Sequence, residues 1–437
     1  RSSSASCDGW GWWGRSGPMY TEFTPVYLGS INRREPFTLG PWTPYETRTH
    51  WRQGRRRPEL AGRDDVRDRV RVAVERARAG RAGRSAILVG LRGVGKTVLL
   101  DRMLADAESR GMRTVRIEAP EDRSLPAVLA PQLRLVLLRI SRSERARELG
   151  MRALRALAGF VSSLRVRYDD IEVAMDLEPE PGLADNGDLE SDLRALFETA
   201  GAAAASDETA IALFIDELQY VPDAQLGALI TALHRCAQRS LPVVLVGAGL
   251  PQLPAKLGRA KSDAERLFEF PTIGPLDRQD AIGAIEKPAL AEDVEFTPAA
   301  LDAIYERTGG YPYSLQEWGK HSWDVADGSP IDTSDVESAS VTAVAELDAS
   351  FFRVRFDRTT PKEKTYLRAM AELGPGPHRS GDVAEVLGRP VQSVAPIRNN
   401  LLRKGMIWSP RHGDTAFTVP LFDEFMRRVM PEGPDAG

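Results

Sequence analysis

The chain has 437 residues, a net charge of −4, 42% hydrophobic residues, two cysteines and five histidines. The length predicts two or three domains with an ordinary buried core, and the near-balanced charge excludes a polycation that coats nucleic acid, so any basic binding face must be local. Cys7 and Cys236 stand far apart among scattered histidines, which excludes a disulfide framework and a zinc site and fits a reducing, cytoplasmic compartment; no apolar run approaches the roughly 18 residues of a membrane span, and Arg1–Ala5 lacks the apolar core of a signal peptide.

Residues 1–56 carry Trp10, Trp12, Trp13, Trp42 and Trp51 among Gly, Ser, Pro and Arg, and the first methionine is Met19. Without helical or strand periodicity, the stretch reads as a disordered leader or a misplaced start. The alternative is a tryptophan-rich docking segment, and nothing in the residues separates the two. Regular patterning begins near Glu59. Arg63–Arg78 reads as an amphipathic helix with Val66, Val70 and Val74 on one stripe, Ser85–Val89 as a buried strand, Gly90–Thr97 as a glycine-rich turn, Val98–Ser109 as a helix and Thr114–Ala119 as a second strand. That order is a βαβ unit and predicts a parallel sheet.

Leu125–Leu164 reads as helical and Val166–Leu177 as a strand or hairpin, followed by an acidic loop over Glu178–Asp188. Leu189–Ala205 is a further helix, Ile211–Ile215 a continuous apolar strand ending in Asp216-Glu217, Gln225–Ser240 a helix, and Leu241–Val246 a buried strand ending at Gly247-Ala248-Gly249. The predicted boundaries are a P-loop domain over 57–275, a helical lid and linker over 276–350 with its polar break at Asp327–Thr333, a compact module over 351–430 and a tail over 431–437.

Gly90-Leu91-Arg92-Gly93-Val94-Gly95-Lys96-Thr97 fits G-x-x-x-x-G-K-[ST] at every fixed position and lies between a predicted strand and a predicted helix. The glycines let successive main-chain N–H groups point at phosphate oxygens, and the helix that continues through Val98 adds its positive end. Lys96 is read as reaching the β- and γ-phosphates, Thr97 as placing its hydroxyl on Mg²⁺. The carboxylates at the end of Ile211–Ile215 sit at the sheet edge where ligands bind. Asp216 is assigned to the metal and Glu217 to the attacking water. The expected ligands are therefore ATP and Mg²⁺. The acidic pair follows the loop by roughly 120 residues, which predicts an insertion of extra helices. An arginine that neutralises transition-state charge, often supplied by a neighbouring subunit, is sought at Arg259 and Arg266, with Arg266 preferred and self-association implied. Gln219 is read either as an amide donor or as an ordinary exposed residue.

The P-loop with its Asp-Glu strand end resembles the AAA-type branch of the P-loop ATPases. Glu59-Leu60-Ala61-Gly62-Arg63-Asp64 resembles the opening string of origin-recognition-like AAA ATPases, which lies near the adenine there. Thr308-Gly309-Gly310-Tyr311-Pro312 resembles the G-x-P of STAND signalling ATPases and related archaeal ATPases, in which the lid proline packs near the base; the match assigns that role to Gly310 and Pro312. Members of this branch often carry a polar residue after the strand corresponding to Leu241–Val246, where this chain has glycines. The absence of that residue, and of an arginine at the start of the lid helix, points to a slow switch rather than a ring motor.

In the compact module, Thr360–Leu373 reads as a helix with Pro361 in its first turn, Arg379–Leu387 and Val391–Lys404 as two more, and Met406–Ser409 with Ala416–Val419 as a hairpin. That is the order of a winged helix. On double-stranded DNA, Gln392, Ser393, Arg398 and Asn399 would face the major groove, Arg403 and Lys404 the phosphates, and Arg411 the backbone or minor groove. The predicted class is α/β: a P-loop NTPase with a parallel sheet, a helical lid and a C-terminal winged helix. The two functions it supports are a slow ATPase switch coupled to DNA, and a STAND-like signalling ATPase whose winged helix contacts protein.

Overall fold

The computed structural model describes residues 60–433 except 82, 120, 166, 172–176 and 263. The tryptophan-rich leader lies outside the described residues. Helix α1 (Asp64–Arg78) buries Val66, Val70, Val74 and Ala77 on one face, and β1 (Ser85–Val89) is buried along its whole length. After the glycine loop come α2 (Lys96–Ser109) and β2 (Arg113–Glu118). The long separation between the two motifs is filled by α3 (Leu125–Ser141), α4 (Arg147–Leu164) and α5 (Leu189–Ser206). The stretch read as one helical region is thus two helices, broken where the cap of α3 gives way to turns. Ser124 caps α3 and Asp188 caps α5, each side chain accepting an N–H of the first turn. Of the segment read as a strand or hairpin, residues 167–170 are mostly turn; Val166 and residues 172–176 lie outside the described set. The loop before α5 is pinned by fully buried Asp192, which accepts from the N–H groups of Asn186 and Gly187 and from the Ser163 hydroxyl.

β3 (Ile211–Asp216), α6 (Asp223–Gln238), β4 (Val243–Gly249), α7 (Leu253–Ala260), α8 (Ala264–Leu267) and β5 (Phe268–Glu269) complete a five-stranded sheet of order β2-β3-β4-β1-β5, every adjacent pair parallel. Two-residue alternation divides its side chains. Ile87, Leu213 and Leu245 join the core formed with α3–α6, whereas Leu88, Phe214 and Val246 join the one formed with α1 and α2. The short edge strand β5 has no apolar run to announce it in the sequence. β4 continues through Gly247-Ala248-Gly249, where the sequence suggested its end.

Four helices follow: α9 (Arg278–Leu290), α10 (Pro298–Thr308), α11 (Pro312–Val325) and α12 (Thr333–Glu346). α12 runs on through a π-helical turn, Leu347–Phe352, into α13 (Arg353–Asp357), so position 350 falls inside a continuous helical rod. The carboxyl-terminal module contains α14 (Pro361–Glu372), β6 (His378–Arg379), α15 (Ser380–Val386), α16 (Val391–Arg403), β7 (Ile407–Trp408), β8 (Asp414–Phe417) and α17 (Phe422–Val429). Its strands form a small sheet of order β6-β8-β7, and a capping box of Thr360 and Glu363 opens α14. One buried cluster runs from Leu276 through α9–α12 to Met426, so the helical layer and the carboxyl-terminal module share a core.

Candidate functional site

β1 ends in the glycine loop and β3 in the acidic pair, and parallel strands bring both to the same edge of the sheet. Gly93 and Gly95 have φ of 79° and 87°, a region that side-chain-bearing residues rarely adopt. Gly93 is constrained twice, because a Cβ there would lie 3.2 Å from the Cβ of Tyr313. Gly95 starts α2 without a side-chain cap, which leaves the first N–H groups of the helix facing the concavity of the loop, a ready anion nest.

Lys96 is 7% exposed. Its ammonium donates to the carbonyl oxygens of Gly90 at 3.0 Å and Leu91 at 2.8 Å. Burial pushes its pKa down to about 8, opposed by Glu217 and Asp216 and reinforced by Arg92. The Thr97 hydroxyl donates to Asp216 Oδ2 at 2.7 Å, and the other carboxylate oxygen accepts the N–H of Glu217 at 2.8 Å. A hydroxyl and a carboxylate are the hard oxygen donors Mg²⁺ takes together with water and phosphate, so this pair fits that ion. Among the described residues no group of three His, Cys, Asp or Glu is placed to hold a metal ion.

Glu217 sits at φ 52°, a left-handed conformation uncommon for a residue with a side chain and concentrated at functional sites. Its carboxylate accepts a hydrogen bond from Gln219 Nε2 and lies 3.6 Å from the Arg92 guanidinium. Gln219 is held in turn, since its Oε1 accepts the N–H of Leu250 at 3.1 Å. Lys256 braces the same turn through the carbonyls of Gln219 at 2.7 Å and Val221 at 2.6 Å. The glycines of β4 now have a reason. A Cβ on Gly247 would meet Leu218 Cδ1 at 2.3 Å, and one on Gly249 would meet Gln219 Oε1 at 2.7 Å. The turn bearing the acids lies over the end of β4, with the Gln219 side chain against Gly249. Gln219 is 9% exposed, so it is not an ordinary exposed residue, and its amide is spent on Glu217.

A cavity of about 650 Å³ opens on this edge. Arg92–Val98 form one wall, Glu217 stands at the phosphate-loop end, and Leu60, Ala61, Pro288, Pro312 and Leu315 make an apolar slot at the other. Leu276 N–H donates to the Gly310 carbonyl at 2.8 Å, which fixes the turn that delivers Pro312. The motif residues from Gly90 to Val98 are thereby gathered with Pro312, Asp216 and Glu217. Among the lining side chains that no motif announced are Lys287, Glu292, Tyr313, Phe351 and Arg355. The signal for Phe351 and Arg355 in the sequence was the aromatic and basic string Phe351-Phe352-Arg353-Val354-Arg355.

Arg92 ties the loop to the carboxyl-terminal module. Its guanidinium donates to the Tyr220 hydroxyl at 2.6 Å, its N–H donates to the Thr418 carbonyl at 2.9 Å, and Gly405 approaches the guanidinium so closely that a Cβ would lie 3.3 Å from Nη2. Arg266 is exposed just before β5, whose first residue pairs with Ser85 at the start of β1; it stands at the opposite edge of the sheet from the loop and does not reach this chain's own cavity. Of the residues read as DNA contacts, Gln392, Arg403 and Arg411 are exposed. Arg398 is turned inward, donating to the Ser409 hydroxyl and the Asp414 carbonyl, both at 3.1 Å. Lys404 is bound to Glu363 at 2.7 Å and to the Arg358 carbonyl at 2.9 Å. Arg398 thus spends Nη2 on the hairpin, and Lys404, though exposed, is paired within the fold.

Residues 59–246 match the family described as the AAA ATPase domain, and residues 349–426 match a domain of unknown function, DUF8462. Comparison with curated proteins gives no match. Among solved structures the chain is similar to the Walker-type ATPase PABY2304 of Pyrococcus abyssi, at 16% identity and a TM-score of 0.53, over 84% of this chain and 96% of that one. It also aligns with the RuvB Holliday junction branch migration motor of Thermotoga maritima, at 17% identity and a TM-score of 0.41, over 82% of this chain and 92% of that one. The ORC1 protein of Aeropyrum pernix, solved in complex with DNA, aligns at 16% identity and a TM-score of 0.42, over 85% of this chain and 93% of that one. The fold is α/β with a P-loop, and the match to the AAA ATPase domain covers the residues that carry the phosphate loop and the acidic pair. No helix among the described residues is long and apolar enough to cross a membrane.

Proposed function

We propose that this AAA-type P-loop ATPase domain is the nucleotide-driven half of a switch, and that the carboxyl-terminal module, read as a winged helix, is its output. In this reading the N–H groups of Gly93 to Thr97 and the Lys96 ammonium hold the phosphates of ATP. Thr97 and Asp216 hold Mg²⁺, which when bound neutralises charge on the phosphates. Glu217 orients or deprotonates the attacking water, and the Gln219 amide fixes the carboxylate in place. Pro312 and the apolar slot take the base. Slow hydrolysis to ADP and phosphate resets the switch.

The observation that carries the reading is Arg92. One residue of the phosphate loop touches Glu217, Tyr220 and the main chain of Thr418, so a change in the loop is felt directly by the module. A gel shift on duplex DNA with ATP, with ADP and with neither tests the output. Retention that depends on nucleotide supports a DNA-coupled switch; identical retention in all three removes it.

A second reading, in which the module contacts a protein as in STAND-like signalling, is favoured by the Arg398 bonds to the hairpin and the Lys404 pairing with Glu363, which reduce the basic charge left for DNA. It expects indifference to DNA and a change of assembly between ATP and ADP. Light scattering giving one unchanged mass in both nucleotides argues against it.

A further inference from the structure

We propose that Arg355, contributed from beyond the helical lid, is the residue by which the site distinguishes a nucleoside triphosphate from a diphosphate. The inference rests on the Mg-nucleotide reading of the cavity and adds a cation that neither the P-loop nor the lid supplies.

The chain of contact is short. Gly93 of the phosphate loop accepts the N–H of Tyr313 at 3.1 Å. The Tyr313 ring stacks on Phe351 with centroids 4.3 Å apart and planes inclined by 23°. The Arg355 guanidinium lies over the Phe351 ring, 4.1 Å from its centroid. The π-helical turn that carries Phe351 therefore seats α13 against the loop and aims Arg355 into the cavity.

The charges there do not balance. Arg92 and Arg355 share this end of the cavity, and burial and the Arg92 guanidinium both push the Arg355 pKa down, to about 10. Glu217 is the carboxylate that acts most on Arg355, and it is already engaged by Arg92 and Gln219. Arg355 donates to the carbonyl of Phe351, on its own helix, and among the described residues no carboxylate lies within ion-pair distance of it. A half-buried guanidinium is stabilised by an anion with paired acceptor oxygens, and phosphate is the anion this edge of the sheet is built to admit. Glu217 marks the place of the attacking water, so the phosphate nearest Arg355 is the terminal one. ADP does not extend that far.

The test compares the affinities of Mg-ATP and Mg-ADP for the full chain by calorimetry, in the wild type and in Arg355→Gln, Arg355→Lys and Lys96→Ala. Arg355→Gln is expected to weaken ATP at least about tenfold, as loss of a charged hydrogen bond does, and ADP by less than about twofold, with Arg355→Lys between wild type and Gln. Circular dichroism of each variant without nucleotide separates misfolding from loss of contact, and Arg355→Lys carries the test if the Gln variant does not fold. Equal weakening of ATP and ADP, or no change in either, overturns the role of Arg355 while leaving the P-loop reading in place. Absence of ATP binding by the wild type, or undiminished binding by Lys96→Ala, overturns the P-loop reading itself and this one with it.

Discussion

The N–H of Arg92, in the middle of the glycine loop, donates to the carbonyl of Thr418 at 2.9 Å, so the phosphate loop is hydrogen-bonded to the last strand region of the carboxyl-terminal module. The Arg92 side chain reinforces that junction through Tyr220 and Glu217. Arg92→Ala is expected to lower stability by about 1–3 kcal/mol, the cost of losing a partly buried charged hydrogen bond. Amide exchange around Gly405 should accelerate with it, because Gly405 loses the guanidinium beside it, while the Arg92 N–H still donates to Thr418. Unchanged exchange there would separate the loop from the module.

Gln219 offers a sharper division between binding and chemistry. Gln219→Ala leaves the Leu250 N–H without its acceptor and the Glu217 carboxylate without its amide. Affinity for Mg-ATP should stay within about twofold, because Gln219 touches no residue of the loop, while single-turnover hydrolysis falls about tenfold or more, the scale of a mispositioned general base. A rate equal to wild type would remove Gln219 from the site.

The buried Lys96 gives a pH signature. Its pKa is pushed from 10.5 to about 8 by burial, so the charged form that a polyphosphate requires is lost above that value in the free protein. Mg-ATP affinity should be flat below pH 8 and weaken above it by up to about tenfold per unit. The sign for stability is opposite. Between the folded value near 8 and the unfolded value of 10.5 the unfolded chain binds more protons, so unfolding free energy rises with pH across that window. Titration of nucleotide affinity from pH 7 to 9.5 checks the first statement, with Lys96→Arg expected to abolish the pH dependence.

Gly247 and Gly249 are packing requirements rather than flexible joints. Gly247→Ala places a methyl 2.3 Å from Leu218 and 2.8 Å from Ile87. Overpacking of this kind costs about 1–3 kcal/mol, measurable by denaturant unfolding, and should displace the turn that carries Glu217.

Arg398 and Arg411 separate structure from contact in the carboxyl-terminal module. Arg398→Ala should lower stability by about 1–3 kcal/mol, since the hairpin loses hydrogen bonds at Ser409 and Asp414. Arg411→Ala, on the exposed turn, should leave stability within about 0.5 kcal/mol. If duplex DNA is a partner, Arg411→Ala and not Arg398→Ala weakens retention in a salt-dependent way.

What was legible in the sequence were the parts whose physics is local. Glycines at fixed spacing, an apolar run ending in two acids, and valines at intervals of four announce a loop, a strand end and a helix face without help from the rest of the chain. The remainder depends on contacts distant in sequence. Gln219 could not be told from a surface residue until β4 lay beneath it. Arg398 and Lys404 looked like free cations until Asp414 and Glu363 came alongside. Arg355 belongs to no motif and reaches the cavity only because a π-helical turn shifts the register of a long helix. β5 is two residues long and is made by its neighbour β1 more than by its own composition.

The helical rod from Thr333 to Asp357 passes from the lid into the carboxyl-terminal module without an interruption, and one apolar cluster fills both sides of it. Such a body has no clutch. Whatever tilts α11 at Pro312 swings the far hairpin by the same angle, and the arc grows with distance from the pivot. The hinge of this molecule is then to be sought before Leu276, at the single crossing from sheet to lid, and a cross-link placed there would freeze the output while leaving the nucleotide cradle intact.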